Sequence, residues 1–347
     1  MKAALLVDVQ QFELRDLPDP KVPVDGLVLK VEACGVCGSD LRRWKEGPPL
    51  LSQPIVPGHE IAGTVEAVGP GLKDYAIGDR LAVAPDIHCG HCYYCQRGMY
   101  NLCDELHFIG ITPGYPGGFA EKITLTQEIL TNGILHHIPE GISFTDAALS
   151  EPCSSVLATH EKIGTGLNHT VLVMGAGPIG CLHVVIAKVC GARVILSEPN
   201  PIRRKMAEPF HPDVFIDPDK EDVVSKTRQL TGGLGVDTVI CANPIAATQA
   251  EAVKACRKAG KVILFGGLPK AQPMTSLDAN RIHYGEIVVM GAFSYHPSHH
   301  QMALDIIKRG VIPTGSLITH IFPLDKIADA FRIASTGEAL KIMVTTS

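Results

Sequence analysis

The chain has 347 residues, and its 31 Lys and Arg against 36 Asp and Glu give a formal net charge of -5 at pH 7. This length predicts about two domains, each able to bury an apolar core without covalent cross-links. The acidic balance, without a long run of like charge, argues against nucleic acid or an anionic membrane as the partner.

The N-terminal segment MKAALLVDVQQFELRDLPDP predicts a β-strand, because it lacks the long apolar region and the cleavage site of a secretory signal. No apolar run approaches the ~18 residues of a membrane span. We therefore expect a cytoplasmic protein, in which structural disulfides are rare. Several cysteines lie in apolar or helical contexts and are predicted to be buried small side chains: Cys181, Cys190, Cys241 and Cys256.

The pattern of predicted elements divides the chain into three parts. Residues 1–153 contain short strand-like runs separated by Gly and Pro, among them LVLKVEACG and EIAGTVEAVG, which favour a β-barrel domain. In residues 154–291, strand-like runs such as TVLVMG and ARVILSE alternate with helical segments, which predicts βαβ units and a doubly wound parallel sheet. Residues 292–347 predict helix, strand, helix and strand, and we expect this tail to return to the first domain.

The first part of the chain carries three ordinary zinc ligands in two motifs. Cys37 lies in ACGVCGSDLRRW, and His59 and Glu60 lie in VPGHEIAG. Beside a nicotinamide-binding fold they predict an open catalytic zinc, which would polarise a carbonyl and acidify a bound alcohol. A His-Glu pair is also common on surfaces, and Cys34 with Cys37 is a C-x2-C that could be a redox pair.

A second cysteine-rich segment, CGHCYYCQRGMYNLC, has the spacing C-x2-C-x2-C-x7-C. In a reducing compartment this spacing predicts a closed structural zinc site rather than disulfides or redox thiols. His91 is a competing ligand, but it lies between two better-placed sulfurs. The four predicted ligands are Cys89, Cys92, Cys95 and Cys103.

A glycine motif in TVLVMGAGPIGCLHVVIAKVCGARVILSEP predicts a dinucleotide site. Its G-x-G-x-x-G follows a strand and opens a helix, so the phosphates would face the helix N-terminus. The predicted cofactor-binding residues of this turn are Gly175, Gly177, Pro178, Ile179 and Gly180.

An acidic residue closes the second strand of the same unit. Glu198 lies 23 residues after Gly175, where a carboxylate can bind the ribose hydroxyls and repel a 2′-phosphate. This predicts NAD rather than NADP as the cofactor. Arg203 and Arg204 follow, and they either serve a 2′-phosphate or form a solvated helix start.

Taken together, these motifs resemble the zinc-containing medium-chain dehydrogenases over essentially the whole chain, and within them the polyol (sorbitol) and threonine dehydrogenase branch. The resemblance implies a GroES-like β-barrel catalytic domain, a Rossmann-type domain and a homotetramer. It implies that Glu151, in LSEPCSS, joins Cys37, His59 and Glu60 around the catalytic zinc, with Cys153 as a lower-ranked competitor.

The same resemblance implies further roles near the reacting atoms. Ser39 occupies the position of the hydroxyl that passes the alcohol proton outward, and Asp40 would orient His59. Gly266 and Gly267 would let the nicotinamide lie against the backbone, although they could equally form a plain strand-end turn.

Two departures from the branch concern the substrate. Arg42 and Arg43 stand where a proton-relaying histidine and a tyrosine are usual, and Ser294 stands where sorbitol-type members have an arginine. The two arginines could bind an acidic or phosphorylated polyol, or form a solvated helix face.

The sequence thus predicts an NAD-dependent, zinc-dependent dehydrogenase of a secondary alcohol, and the resemblance implies that this alcohol is a polyol or a derivative of one. An enzyme of the L-threonine 3-dehydrogenase type is the alternative, since it shares the ligand set. A zinc-free quinone reductase conflicts with the ligands of the two motifs, and a zinc-ribbon nucleic-acid binder conflicts with the net charge.

Overall fold

The computed structural model describes residues 1–48 and 54–346. The strands are β1 (Lys2–Asp8), β2 (Gln11–Asp16), β3 (Leu27–Gly35), β4 (Glu60–Val68), β5 (Arg80–Ile87), β6 (His107–Phe108), β7 (Lys122–Leu125), β8 (Gly133–His137), β9 (Thr170–Met174), β10 (Arg193–Ser197), β11 (Val214–Ile216), β12 (Val236–Cys241), β13 (Cys256–Leu264), β14 (Val288–Gly291), β15 (Ile318–Pro323) and β16 (Lys341–Thr345).

Helices connect many of these strands, especially in the second half of the chain. They are α1 (Gly38–Glu46), α2 (Gln127–Asn132), α3 (Phe144–Ala148), α4 (Ser150–Ile163), α5 (Pro178–Val189), α6 (Pro201–Ala207), α7 (Val223–Leu230), α8 (Ala246–Ala255), α9 (Ala279–Gly285), α10 (Pro297–Lys308), α11 (Thr314–Leu317) and α12 (Ile327–Thr336). Within the described ranges, the helices are too short or too polar for any of them to cross a bilayer.

The chain separates into two units, one of Met1–Ser154 with Ser294–Ser347 and the other of Ser155–Phe293. The first unit has a two-stranded sheet of β1 and β2 and a larger mixed sheet, and the second unit has one parallel sheet. Each unit has its own apolar core.

The first unit is built on a mixed sheet with the order β15-β16-β3-β4-β5-β6, to which β7 adds on β3 and β8 on β5. Its core contains the buried rings of Phe119 and Phe331, which meet edge to face with centroids 5.7 Å apart. The late strand β16 runs antiparallel to β3 and pairs Met343 with Gly35. This pairing brings the end of the described chain beside the segment that precedes α1.

The second unit is a parallel sheet with the order β11-β10-β9-β12-β13-β14. In chain order this is 3-2-1-4-5-6, the arrangement of a doubly wound dinucleotide-binding sheet. Its strands are apolar along most of their length, as expected where helices cover both faces. The prediction of a doubly wound parallel sheet is confirmed.

The predicted environment of the isolated cysteines is correct for three of them. Cys181, Cys241 and Cys256 are fully buried. Cys190 is only partly buried, because it forms the C-terminal cap of α5, where the chain turns toward the surface.

Candidate active site and metal centres

The structure brings Cys37, His59 and Glu60 together. Their ligand atoms all lie within 4.8 Å of one another. Cys37 is the N-cap residue of α1, and its backbone N–H donates to Asp40 Oδ2 at 3.0 Å. The GHE motif enters β4 at Glu60, so the end of one loop and the start of one helix converge on a thiol, an imidazole and a carboxylate. This donor set suits a zinc ion.

His59 is held so that one ring nitrogen faces a carboxylate. Asp40 Oδ1 lies 3.3 Å from His59 Nδ1, and both side chains are buried. Burial lowers the pKa of His59, but the charges of Asp40 and Cys37 outweigh this effect and raise the pKa well above its usual value. The other nitrogen, Nε2, lies 3.4 Å from Ser39 Oγ. A carboxylate on Nδ1 leaves Nε2 as the metal-facing nitrogen, in the manner of metal-bound histidines generally.

Glu60 has a partner that the sequence motifs did not indicate. Lys341 Nζ on β16 donates to Glu60 Oε1 at 2.6 Å and to Oε2 at 2.8 Å. A third hydrogen bond joins the same ammonium to Val36 O at 3.1 Å. Each carboxylate oxygen can accept more than one hydrogen bond, so this ion pair leaves acceptor capacity on Glu60. Only the pairing of β16 with β3 places this lysine here.

Glu151 lies outside the three-residue group. Its Oε1 accepts a hydrogen bond from the buried Tyr295 hydroxyl at 3.0 Å. Burial, together with repulsion from Glu60 and Asp86, raises the pKa of Glu151 to about 7, although His59 opposes the shift. A role of Glu151 as a further metal ligand stays a prediction.

The competing thiol near Glu151 also lies outside the three-residue group. Cys153 is fully buried, and burial raises the pKa of its thiol to about 12. The ranking of Cys153 below Glu151 stays a prediction.

Asp86 is a further buried carboxylate, and the sequence motifs did not indicate it. Asp86 on β5 is 4% exposed, and its Oδ1 accepts a hydrogen bond from Ser294 Oγ at 2.7 Å. Burial raises the pKa of Asp86 to about 6, against the opposing effect of the Ser294 hydrogen bond. The signal was available in DRLAVAPDI, where a lone acid ends an apolar strand.

The four cysteines of the second motif form one cluster, with their sulfurs within 4.8 Å of one another. Backbone N–H groups donate to these sulfurs: Cys92 N to Cys89 Sγ at 3.3 Å and Cys89 N to Cys103 Sγ at 3.2 Å. A backbone hydrogen bond from Asp104 is the main cause that lowers the pKa of Cys92 to about 6, whereas burial raises the pKa of Cys95 to about 12 and also raises that of Cys103. Four convergent sulfurs with amide donors fit a closed tetrahedral zinc site.

His91 lies at the edge of this cluster. Its Nδ1 is 3.7 Å from Cys89 Sγ, and its Nε2 is 4.0 Å from Glu105 Oε1. Both side chains are well exposed, at 70% and 61%. The four sulfurs converge without His91, so it is not needed to complete the cluster.

The glycine motif occupies the turn from β9 to α5. Gly175 has φ +111°, a conformation that favours glycine, and its N–H donates to Ser197 O at 2.8 Å. A Cβ on Gly180 would collide with the carbonyl oxygen of Gly175. Gly177 is the N-cap of α5, which begins with Pro178 and Ile179, so the helix N-terminus opens at this loop. The turn therefore has the geometry that a pyrophosphate requires.

Glu198 follows β10 and is only 5% exposed. Its Oε2 accepts from Ala176 N at 2.8 Å and its Oε1 from Asn200 N at 2.9 Å. The carboxylate thus ties the glycine turn to the second strand and retains lone pairs for a ribose hydroxyl.

The two arginines after Glu198 differ in their environment. Arg204 donates to Glu198 O and Pro199 O and pairs with Asp217 at 2.9 Å, so it is committed to the protein. Arg203 Nη1 lies 3.9 Å from the position of a Cβ on Gly177, which places it at the glycine turn.

The glycines after β13 have unequal surroundings. A Cβ on Gly266 would clash with the backbone of Asn243, so the protein itself requires glycine there. A Cβ on Gly267 would meet no protein atom within 4 Å. Open space at Gly267 is compatible with a cofactor lying against the backbone.

Comparison with known families gives two matches along the chain. The alcohol dehydrogenase GroES-like domain matches residues 24–137, and the zinc-binding dehydrogenase domain matches residues 178–309. The first range contains both metal motifs, and the second begins at the helix that follows the glycine turn.

Three relatives match nearly the full length of the chain. A sorbitol dehydrogenase of Bacillus subtilis is 32% identical over 352 residues, which cover 99% of this chain and 97% of the relative. A D-arabitol-phosphate dehydrogenase of Enterococcus avium is 32% identical, covering 97% and 94%. An L-threonine 3-dehydrogenase of Pyrococcus abyssi is 32% identical, covering 95% and 94%.

Solved structures agree with this assignment. A Sinorhizobium meliloti protein described as a zinc-binding dehydrogenase, solved with NADP, has a TM-score of 0.90 at 31% identity and covers 99% of this chain and 98% of its own. The chain therefore belongs to the zinc-containing medium-chain dehydrogenases, with a GroES-like and a Rossmann domain, and is an NAD(P)-dependent zinc alcohol dehydrogenase.

Proposed function

We propose that this protein oxidises a secondary alcohol of a polyol with NAD as the hydride acceptor. The observation that carries the proposal is the convergence of Cys37, His59 and Glu60 in a chain that also has the glycine turn and Glu198. The similarity to a sorbitol dehydrogenase and a D-arabitol-phosphate dehydrogenase supports a polyol as the substrate class.

The residues that would hold the catalytic zinc are Cys37, His59 and Glu60, with Glu151 as a further ligand. When bound, the metal supplies Lewis-acid polarisation of the substrate oxygen. Asp40 keeps the His59 ring in one orientation through Nδ1. Ser39 Oγ, 3.4 Å from His59 Nε2, is in position to take up the alcohol proton and pass it outward.

A second zinc would be held by Cys89, Cys92, Cys95 and Cys103. Because all four positions of the tetrahedron are protein sulfurs, this ion would have no position for a substrate. Its proposed contribution is to the stability of residues 89–103.

NAD is proposed over NADP because of Glu198. Its buried carboxylate would accept hydrogen bonds from ribose hydroxyls and repel a 2′-phosphate. The engagement of Arg204 with Asp217 removes one of the two cations that could offset that repulsion. The proposed contacts of the pyrophosphate and the nicotinamide are the glycine turn with Arg203, and Gly266 with Gly267.

We further propose a cytoplasmic homotetramer, on the strength of the family resemblance. The edge strand β14 presents Val288 at 49% exposure, which is compatible with pairing between copies. Light scattering of the purified protein gives the mass that tests this assembly.

An L-threonine 3-dehydrogenase activity is the second candidate, supported by the Pyrococcus abyssi relative. It uses the same metal and cofactor residues, so substrate assays separate the two.

The test follows reduction of NAD+ by absorbance at 340 nm with uncharged polyols and with L-threonine. We expect turnover with polyols that is lost on chelation and restored by zinc. Ser39→Ala should lower kcat by about 10²–10⁴-fold, the range typical of a lost proton-transfer group. Ser335→Ala, at an exposed position on α12, is the matched control and should have no effect. Zinc-independent turnover of polyols would refute the proposal.

A further inference from the structure

Asp86 is a buried carboxylate that no motif indicated. It lies on β5, which pairs with β4, the strand that begins at Glu60. The two acids are therefore on neighbouring strands of the sheet in the first unit.

Glu151 adds a third carboxylate to this region. Tyr295 donates to Glu151 at 3.0 Å, and the adjacent Ser294 donates to Asp86 at 2.7 Å. Because these two donors are consecutive residues, the segment between β14 and α10 holds both acids near each other. Burial raises the pKa of Asp86 to about 6, and burial together with repulsion from Glu60 and Asp86 raises that of Glu151 to about 7.

Among the described residues, no buried lysine or arginine remains to neutralise Asp86 and Glu151, and the charge of His59 lowers both pKa values without reversing the effect of burial. Among residues 1–48 and 54–346, Lys341 is the one Lys or Arg whose side chain is buried. An ammonium has three N–H donors, and Lys341 uses all three on Glu60 and Val36. It therefore has no donor left for the anionic group of a substrate.

We infer that Asp86 is a specificity-determining residue that selects uncharged polyols and rejects alcohols carrying a phosphate or a carboxylate. This inference rests on the proposed function and narrows its substrate class. A carboxylate accepts hydrogen bonds but donates none when ionised, so it suits a neighbouring substrate hydroxyl and repels an anion. The effect is strong because the site is shielded from water.

Ser294 is the positioning residue for Asp86. Its backbone has φ +49°, in the left-handed region that few non-glycine residues adopt, and its Oγ donates to Asp86 Oδ1 at 2.7 Å. One of the lone pairs of Asp86 is used by Ser294, and a carboxylate offers about four. The acid is therefore oriented by the protein and retains acceptor capacity for a hydroxyl.

The alternative determinants on α1 are less well placed for this role. Arg42 and Arg43 lie five and six positions after Cys37, about 7–9 Å further along the helix at ~1.5 Å per residue. Both are partly exposed, and charges near solvent are screened more strongly than a buried carboxylate. We therefore assign the selection to Asp86.

The experiment compares kcat/KM of the zinc-loaded enzyme for sorbitol, for sorbitol 6-phosphate and for L-threonine. For the wild type we expect kcat/KM for sorbitol to exceed kcat/KM for each of the other two substrates by at least about tenfold. This is a typical effect of placing one like charge beside another. Asp86→Asn keeps the side-chain size and removes the charge. The ratio of kcat/KM for sorbitol to kcat/KM for sorbitol 6-phosphate should therefore fall by about tenfold. Asp16→Asn, an exposed acid of the same unit, is the matched control and should leave the ratio unchanged.

Ser294→Ala keeps the charge and removes only the positioning hydroxyl. It should raise KM for sorbitol several-fold while the discrimination against the phosphate persists. If Asp86→Asn does not fold, the role of Asp86 is still tested by the kcat/KM ratios of the wild type and by the KM of Ser294→Ala.

A wild type that prefers the phosphate or L-threonine, or an Asp86→Asn ratio equal to that of the wild type, overturns the assignment of Asp86 while the dehydrogenase function stands. The absence of turnover with every alcohol, in protein that binds zinc and NAD, overturns the proposed function itself.

Discussion

Lys341 and Glu60 form an ion pair that solvent scarcely reaches, with Nζ 2.6 Å from Oε1 and side chains 3% and 0% exposed. The carboxylate belongs to the candidate metal site and the ammonium to the last strand, 281 positions later. The pair therefore links the integrity of the site to the correct insertion of β16 beside β3.

Replacement of Lys341 should lower the free energy of unfolding. Lys341→Met leaves Glu60 buried and unpaired, and loss of one partner of a buried pair typically costs about 3–5 kcal/mol. The free energy of unfolding in urea measures the change. Lys188→Met, which breaks a pair with Asp213 at about a third exposure, should cost about 1 kcal/mol or less. Adding Glu60→Gln to Lys341→Met should recover part of the loss, and equal losses at Lys341 and Lys188 would contradict this account.

Loss of one sulfur from the four-cysteine cluster should release one zinc per chain. Cys103→Ser removes a sulfur that accepts from the backbone N–H groups of Cys89 and Glu105. Structural zinc contributes directly to folding, so the variant should also unfold at lower urea. Elemental analysis of the purified protein counts the metal. Cys190→Ser, a partly buried free thiol in the other unit, should keep the wild-type zinc content, and an unchanged content in Cys103→Ser would exclude the cluster as a zinc site.

The cofactor preference should depend on Glu198. Glu198→Ser removes the negative charge that would face a 2′-phosphate, and kcat/KM with NADP+ should rise relative to NAD+ by about tenfold or more. Part of the activity with NAD+ should be lost as well, because Ala176 and Asn200 lose their acceptor. Asp219→Asn, at an exposed position of the same unit, serves as control. A wild type that already prefers NADP+ would show that Glu198 does not select the cofactor.

A buried chain of hydrogen bonds predicts sensitivity to acid. Ser150 Oγ donates to Ala147 O, so it accepts from His300 Nε2 at 2.9 Å. His300 Nδ1 then has a free lone pair, and His136 Nδ1 donates to it at 2.9 Å. Burial, and secondarily His136, lowers the pKa of the fully buried His300 to about 3.

The sign of the pH effect follows from this depressed pKa. An unfolded histidine titrates near ~6.5, so between pH 6.5 and 3 the unfolded chain binds more protons than the folded one. The contribution of neutral His300 to the free energy of unfolding is complete above pH 6.5. It decreases as the pH falls, by about 1.4 kcal/mol per pH unit at most. His300→Gln should be less stable than the wild type at pH 7 and should lose less stability on acidification, as urea unfolding at several pH values would show. His283→Gln, at an exposed position, should keep the wild-type slope, and an unchanged slope in His300→Gln would refute the assignment.

Short-range patterns predicted much of this molecule. The run LVLKVEACG coincides with β3, and GAGPIG lies at the turn from β9 to α5, because strands and glycine turns depend on neighbouring residues. The convergence of Cys37 with His59 and Glu60 could be expected because two motifs of known chemistry occur in the same domain.

The parts that escaped prediction depend on contacts between distant segments. In the sequence, Lys341 is an ordinary lysine at the start of a predicted strand. Only the register of β16 makes it the partner of Glu60. Asp86 gave a weak local signal, but its hydroxyl partner Ser294 is 208 positions away. Short elements such as β11 (Val214–Ile216) carry too few residues for a recognisable period.

The position of β16 in the sheet has a consequence for the order of events during synthesis. A ribosome completes residues 155–293 before it reaches Lys341, so the nucleotide-binding unit can fold while the first unit still lacks a strand of its sheet. Until then Glu60 has no ammonium to pair with. Burial of its unpaired carboxylate would cost free energy. We therefore expect the segment around Glu60 to close only after β16 has paired with β3, so that the candidate metal site is completed last.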